Sequence, residues 1–153
     1  MKIIFLDFDG VMDTAYYDMV LVSKGLQEYG VLFDPACVRN LETIIRKTKA
    51  DIVVTSSWKY LMSYEEFLEM WNARNLPGFI TDTTPNISNH RGDEIDAWIR
   101  ECKTECEYVI IDDLDANNFN EHHLPHLITV NPYNGLDEIA VKQAIEILGM
   151  DVS

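Results

Sequence analysis

The chain has 153 residues, of which 47% are hydrophobic and 25% charged, so it is long enough to bury one core but not two, and we expect a single domain over residues 1–153. Its net charge of −14, from 26 acidic residues against 12 lysines and arginines, argues against generic nucleic-acid binding, because a polyanion would be repelled. No apolar run approaches the ~20 residues of a membrane span, so we expect no membrane contact. Three cysteines give no disulfide framework, and the first ten residues lack a signal-peptide pattern. We therefore expect a cytoplasmic protein.

Short apolar runs alternate with segments of helical pattern along the chain. From the amino terminus the predicted elements are a strand at Ile3–Leu6, an irregular insertion or minimal cap at 12–33, a helix at Pro35–Lys49, a strand at Ile52–Val54, a helix at Tyr64–Asn75, a strand at Phe79–Ile80, a helix at Glu94–Glu101, strands at Tyr108–Ile111 and Leu127–Val130, and a helix at Leu136–Leu148. Asp34 ahead of Pro35 predicts a helix N-cap, and Ser63 with Glu66 predicts a capping box. The runs are solidly apolar, as strands covered on both faces are. The order therefore predicts an α/β fold, a Rossmann-like three-layer sandwich with a mainly parallel sheet and little or no cap domain.

Polar residues follow three of the predicted strands at the point where each strand ends. They are Asp7 and Asp9 after the first strand, Thr55 after the second, and Asp112 with Asp113 after the fourth. Ligands of open parallel sheets bind beyond the carboxyl ends of the strands, so we expect these side chains to meet at one edge. Four carboxylates there would repel one another, and oxygen ligands favour Mg²⁺ over zinc as the cation that relieves the repulsion. The alternative, solvated acids in ordinary turns, is disfavoured by their occurrence at three strands together.

The motifs at these strand ends resemble those of the haloacid dehalogenase (HAD) superfamily of phosphohydrolases. The resemblance runs from Lys2 to about Val130 and rests on D-F-D-G-V at 7–11, T-S-S at 55–57 and D-D at 112–113. V-V-T-S-S-W-K, R-G-D-E-I and Y-V-I-I-D-D are further similar to the small subgroup found as modules in Swiss-Army-Knife RNA-repair proteins. The second acid of the first motif is that of the phosphatase branch, so the resemblance implies a Mg²⁺-dependent phosphatase that works through an aspartyl phosphate.

The resemblance also assigns roles to the acids. The first acid of the family motif is the nucleophile and the second is the general acid/base, which correspond to Asp7 and Asp9. Mg²⁺ is expected to bind Asp7, the main-chain carbonyl of Asp9 and Asp112, while Asp113 holds a metal-bound water.

The phosphoryl group is expected to meet a second set of residues. Its oxygens would accept from the Thr55 hydroxyl and from the N–H groups of Ser56 and Gly10. The family also supplies a lysine ahead of the paired acids, but no lysine stands in that stretch here. Arg91 is the favoured substitute, and Lys59, just after Thr55, is the rival.

Two other features stand near these motifs. His122, His123 and His126 invite a metal assignment, but Pro125 argues against a regular helix and predicts a loop near the substrate mouth instead. Trp58 adjoins the Thr55 loop and is left open as a ring that stacks on a substrate, whereas the other tryptophans are predicted to be packing residues.

The leading prediction is a phosphatase acting on a small metabolite, a nucleotide or a nucleic-acid end. A phosphomutase or phosphotransferase using the same Asp7 intermediate is an alternative, although it needs a lid that excludes water. A non-catalytic, receiver-like phospho-acceptor is a third, although such modules resemble a different order, with the paired acids near the amino terminus.

Overall fold

The protein is described here by a computed structural model that covers residues 1–25 and 32–152. The strands are β1 Lys2–Leu6, β2 Asp51–Val54, β3 Ile80–Thr83, β4 Glu107–Asp112 and β5 Leu127–Thr129. The helices are α1 Ala15–Ser23, α2 Pro35–Thr48, α3 Tyr64–Ala73, α4 Arg91–Glu101 and α5 Glu138–Leu148. Short 3-10 helices lie at Ser57–Tyr60, Ala116–Asn118 and Glu121–His126. Within the described residues, no helix combines the length and the apolar character needed to cross a bilayer.

The strands form one parallel sheet in the order β3-β2-β1-β4-β5. The central strand β1 is in register with both neighbours, so that Leu6 pairs with Val54 on one side and with Ile111 on the other. The residues that follow β1, β2 and β4 therefore leave the sheet at the same level. This arrangement confirms the predicted α/β fold with a parallel sheet.

The two faces of the sheet bury two separate sets of side chains. Ile4 and Leu6 of β1 pack with α2 and α5 on one face, while Ile3 and Phe5 pack with Ile95 of α4 on the other. All are at most 1% exposed, and burying such a side chain stabilises the fold by about 1.5–3 kcal/mol. Covering on both faces explains why β1 is apolar throughout.

The predicted capping signals of two helices are confirmed. The Asp34 side chain caps α2 by accepting from the Ala36 N–H, and both hydrogen bonds of the capping box that begins α3 are present. Helix α4, however, begins at Arg91 and not at Glu94. The first turn of α4 contains Gly92, although glycine has a low helix propensity. A larger residue would not fit there, because a Cβ would lie 2.9 Å from the Cα of Phe119.

Part of the segment 12–33 is helical, which corrects its prediction as an irregular insertion. Ala15–Ser23 forms helix α1, and the Thr14 hydroxyl caps it by accepting from the Tyr17 N–H at 3.0 Å. The helix escaped detection because its apolar residues form no single buried stripe: Leu21 is buried, whereas Met19 is 62% exposed. The rest of the predicted insertion, at 26–31, lies outside the described residues.

The histidine run also differs from its prediction as a loop. It forms the 3-10 helix Glu121–His126, which contains Pro125. A short 3-10 helix accommodates proline more readily than the interior of an α-helix, where the ring clashes with the preceding turn.

Candidate active site

The carboxyl end of the sheet holds a buried acidic group built on its two central strands. Asp7 directly follows β1 and donates its N–H to the Ile111 carbonyl at 3.2 Å, while Asp112 ends β4. Oxygens of Asp7, Asp112 and Asp113 lie within 4.8 Å of one another. Asp7 is 4% exposed and Asp112 is fully buried. The predicted meeting of acids from distant segments therefore occurs.

Arg91 is the cation that the structure brings to this group. Its Nη1 lies 3.2 Å from Asp7 Oδ1 and 2.7 Å from Asp112 Oδ2. The position follows from the early start of α4, whose first residue is Arg91.

Lys59, the rival cation, points elsewhere. Its ammonium donates to Glu94 at 2.8 Å, to the Asn86 side-chain oxygen at 3.0 Å and to the Pro85 carbonyl at 3.4 Å. It is 6% exposed and joins the 3-10 helix after β2 to α4. The predicted contact of Lys59 with substrate stays a prediction that this geometry does not favour.

One guanidinium does not balance three carboxylates. Burial, together with the neighbouring Asp112 and Asp113, raises the pKa of Asp7 to about 9 against the opposing effect of Arg91. Burial likewise raises the pKa of Asp112, again opposed by Arg91. A further cation would hold Asp7 in its ionised form at neutral pH. The donor set consists of carboxylate oxygens alone, which fits a hard ion such as Mg²⁺.

Thr55 presents a hydroxyl to the same edge. Its N–H donates to the Leu6 carbonyl at 3.0 Å, which fixes the end of β2 against β1. Its Oγ1 is buried and has no hydrogen-bond partner in the described part of the chain. A buried hydroxyl without a partner is costly, so this atom is suited to donate to an incoming oxygen. Ser56 beside it is fully buried, and its Oγ accepts from the Trp58 N–H at 3.2 Å.

Gly10 is required by close packing. It has φ +78°, and a Cβ would lie 2.5 Å from Asp113 Oδ2 and 3.0 Å from Pro132 Cβ. Its N–H donates to the main-chain oxygen of Asp13 at 3.0 Å and to Asp13 Oδ1 at 3.3 Å. Because this N–H is already bonded, the geometry does not favour its predicted contact with a phosphoryl oxygen.

Asp9 lies outside the buried group. Its side chain is exposed, and its Oδ1 accepts from Trp58 Nε1 at 3.0 Å. Its predicted metal contact is through the main-chain carbonyl, which stays a prediction. The sequence left Trp58 open as a ring that stacks on a substrate, which stays a prediction, and its indole N–H contacts the predicted acid/base. In the sequence, the position of Trp58 just after Thr55 was the only indication that this residue lies at the site.

One residue near the site that the sequence did not single out is Asp13. It is 5% exposed, and its Oδ2 has no partner among residues 1–25 and 32–152. Burial raises its pKa to about 8, and the adjacent Asp9 contributes. Asp13 belonged to the segment predicted as irregular, and its spacing of four residues from Asp9 was the available signal.

A second group with metal-ligand atoms comprises Asp96, His122 and His123. His123 Nδ1 accepts from the Asn120 N–H at 3.0 Å, so its Nε2 carries the proton that bonds Asp96 Oδ1 at 2.7 Å. His122 Nε2 lies 2.8 Å from the same oxygen. This hydrogen-bond pattern accounts for the three side chains without an ion.

A family model described as the HAD domain in Swiss Army Knife RNA repair proteins matches residues 3–141, which is most of the chain. The matched range spans β1 to the first residues of α5 and includes every acid of the buried group. No curated protein and no solved structure gave a significant match.

Proposed function

This chain belongs to the HAD domain family of Swiss Army Knife RNA repair proteins, and we propose that it is a Mg²⁺-dependent phosphatase that hydrolyses a phosphomonoester through an aspartyl phosphate on Asp7. The observation that carries the proposal is the position of Asp7. It lies at the end of the central strand, 3.2 Å from the Arg91 guanidinium and beside two further carboxylates.

The acids are proposed to hold the metal ion. Asp7 and Asp112 would bind Mg²⁺ with the main-chain carbonyl of Asp9, and Asp113 would hold a metal-bound water. When bound, the ion offsets the negative charges of Asp7 and of the phosphate that approaches it.

The chain's own residues carry out the phosphoryl transfer. An oxygen of Asp7 attacks phosphorus in line, the bond to the leaving oxygen breaks, and Asp9 gives that oxygen a proton. Asp9 then takes a proton from water, which attacks the phosphorus of the aspartyl phosphate and releases inorganic phosphate with a free Asp7 carboxylate. Thr55 Oγ1 and the Ser56 N–H would donate to phosphoryl oxygens, and the Arg91 guanidinium would neutralise their charge.

Hydrolysis is favoured over transfer to a second acceptor because the described residues include no large cap domain. The described part of the 12–33 segment adds only helix α1, and water exclusion would require a lid. The receiver-like alternative is disfavoured because an acid suited to give the leaving group its proton, Asp9, follows the nucleophile two residues later in the chain.

The proposed substrate is a small phosphate ester, a nucleotide or a nucleic-acid end. The charge of −14 opposes long nucleic acids, whereas the family description favours a nucleic-acid end. Hydrolysis of a mononucleotide and of a 3′- or 5′-phosphorylated oligonucleotide, compared across salt concentrations, separates the two. A steep fall with salt for the oligonucleotide alone would indicate backbone contacts.

The test of the function is release of inorganic phosphate from a substrate panel with Mg²⁺. We expect Asp7→Asn to abolish turnover, and Asp9→Asn to lower it by about 10²–10⁴, the usual contribution of a general acid/base. Asp137→Asn is the matched control, because Asp137 caps α5 through its side chain and asparagine caps equally well. Full activity in Asp7→Asn would refute the proposal.

A further inference from the structure

The exposed carboxylate of Asp9 accepts a hydrogen bond from the indole of Trp58. The Trp58 Nε1 lies 3.0 Å from Asp9 Oδ1. We propose that Trp58 is a positioning residue that holds Asp9 in the orientation for proton transfer, an inference that rests on the proposed phosphatase function.

The indole is well suited to hold another side chain because it is itself held. The centroid of its ring lies 5.1 Å from that of Phe8, which it meets edge-on, and 5.9 Å from that of Phe33. Both of these phenylalanines are buried. Its main-chain N–H donates to Ser56 Oγ at 3.2 Å. A donor fixed by packing and by its main chain restricts the flexible carboxylate that it meets.

The chemistry of the contact determines which oxygen of Asp9 is active. An indole N–H only donates, so Asp9 Oδ1 is kept as an acceptor. The proton that moves to the leaving oxygen is therefore carried by Oδ2. Trp58 thus selects one oxygen and one rotamer of an exposed carboxylate.

Trp71 offers a matched control in the same aromatic cluster. The centroid of its ring lies 6.0 Å from that of Phe8 and 6.1 Å from that of Phe33. Its Nε1, however, donates a hydrogen bond of 2.9 Å to the Pro77 carbonyl. Trp58→Phe and Trp71→Phe therefore remove the same atoms from the same cluster. Only the first removes a hydrogen bond to Asp9.

The experiment measures kcat/KM for two esters that differ in their need for a proton. Departure of 4-nitrophenolate needs no general acid, whereas departure of an alkoxide from an alkyl phosphate does. We expect Trp58→Phe to lower kcat/KM about tenfold or more for the alkyl phosphate but less than about threefold for 4-nitrophenyl phosphate, since misplacement loses part of a 10²–10⁴ effect. KM should change little, and Trp71→Phe should affect both esters equally.

Two results would overturn the positioning role. One is an equal loss on both esters in Trp58→Phe, as a purely structural role predicts. The other comes from NMR, because the three tryptophans give three indole N–H signals, and the signal lost in Trp58→Phe belongs to Trp58. We expect that signal to shift in Asp9→Ala, and an unmoved signal would show that the contact is absent, whatever the activity.

These outcomes are distinguishable from failure of the proposed function. A wild-type protein that releases no phosphate from any ester overturns the function, and the positioning role with it. A wild-type protein that is active, with Trp58→Phe indistinguishable from Trp71→Phe, overturns the positioning role alone.

Discussion

At the scale of single residues, the fold places carboxylates where water does not reach them. Asp7 and Asp112 are almost fully buried side by side, and Arg91 is their one cationic partner among the described residues. Removing an ionised carboxylate from water costs several kcal/mol unless it is well paired. The site is therefore destabilising until another positive charge arrives, as expected where function opposes stability.

This imbalance predicts a pH-dependent stability for the metal-free protein. The pKa of Asp7 in the folded chain is about 9, against 3.8 for a free aspartate, so the folded chain binds this proton more tightly than the unfolded chain. Its stabilising contribution is complete below about pH 4 and is lost as pH rises toward 9. Without metal, the melting temperature should fall between pH 5 and pH 8.

Asp7→Asn tests the assignment of this pH dependence. Asparagine has no charge to bury, so in EDTA at pH 8 we expect the variant to melt at least about 2 °C above the wild type, which is about 1 kcal/mol for a chain of this size. Its melting temperature should also vary less with pH. Parallel pH profiles for the two proteins in calorimetry would contradict the shifted pKa.

At the scale of elements, the site depends on where α4 begins. The helix starts at Arg91, and the loop ahead of it is fastened by the Lys59–Glu94 ion pair, whose side chains are 2% and 4% exposed. Glu94 also accepts from the Ile87 N–H at 3.0 Å. Lys59, the rival phosphate ligand of the sequence analysis, therefore forms an ion pair that orients the helix carrying Arg91.

Breaking that pair should be costly. Lys59→Met leaves Glu94 buried without its cation, and we expect a loss of about 3–5 kcal/mol in the free energy of unfolding. In the double variant with Glu94→Gln, the uncompensated charge is gone and the Ile87 contact can be kept, so much of the loss should be recovered. Urea unfolding measures both, and a single variant that loses less than about 1 kcal/mol would show that the pair is not buried in solution.

At the scale of the whole molecule, an acidic chain is built around an acidic site. The net charge of −14 adds self-repulsion to the local cost at the sheet edge. We therefore expect cations to stabilise the protein in two ways, by general screening and by occupying the site. Only the second depends on the ion's chemistry and on the buried acids.

Mg²⁺ should separate these two effects. At about 100 times its Kd, a ligand that binds only the folded state adds about 2.7 kcal/mol, which raises the melting temperature by about 5 °C or more. NaCl at equal ionic strength should raise it less. Asp112→Asn, which keeps the oxygen that accepts from the Leu114 N–H, should lose the Mg²⁺-specific part, and a full Mg²⁺ response in this variant would place the ion elsewhere.

The sequence by itself determined the features that local chemistry encodes. Solidly apolar runs alternating with helical segments specified a parallel α/β sheet, and Asp34 and Ser63 marked helix starts through their own side chains. The positions of Asp7, Thr55 and Asp112 were readable because parallel strands end at one edge. Each of these signals lies within a few residues of the feature that it predicts.

Only the tertiary structure decided which cation and which ring meet these acids across long separations. Arg91 reaches Asp112 across 21 residues, and Trp58 reaches Asp9 across 49, whereas Lys59 pairs with Glu94. Helix α1 was hidden for a related reason, since its apolar side chains are largely exposed and give no single stripe. A local pattern states which residues are polar or apolar, but the direction of a side chain is set by the packing of elements that are distant in sequence.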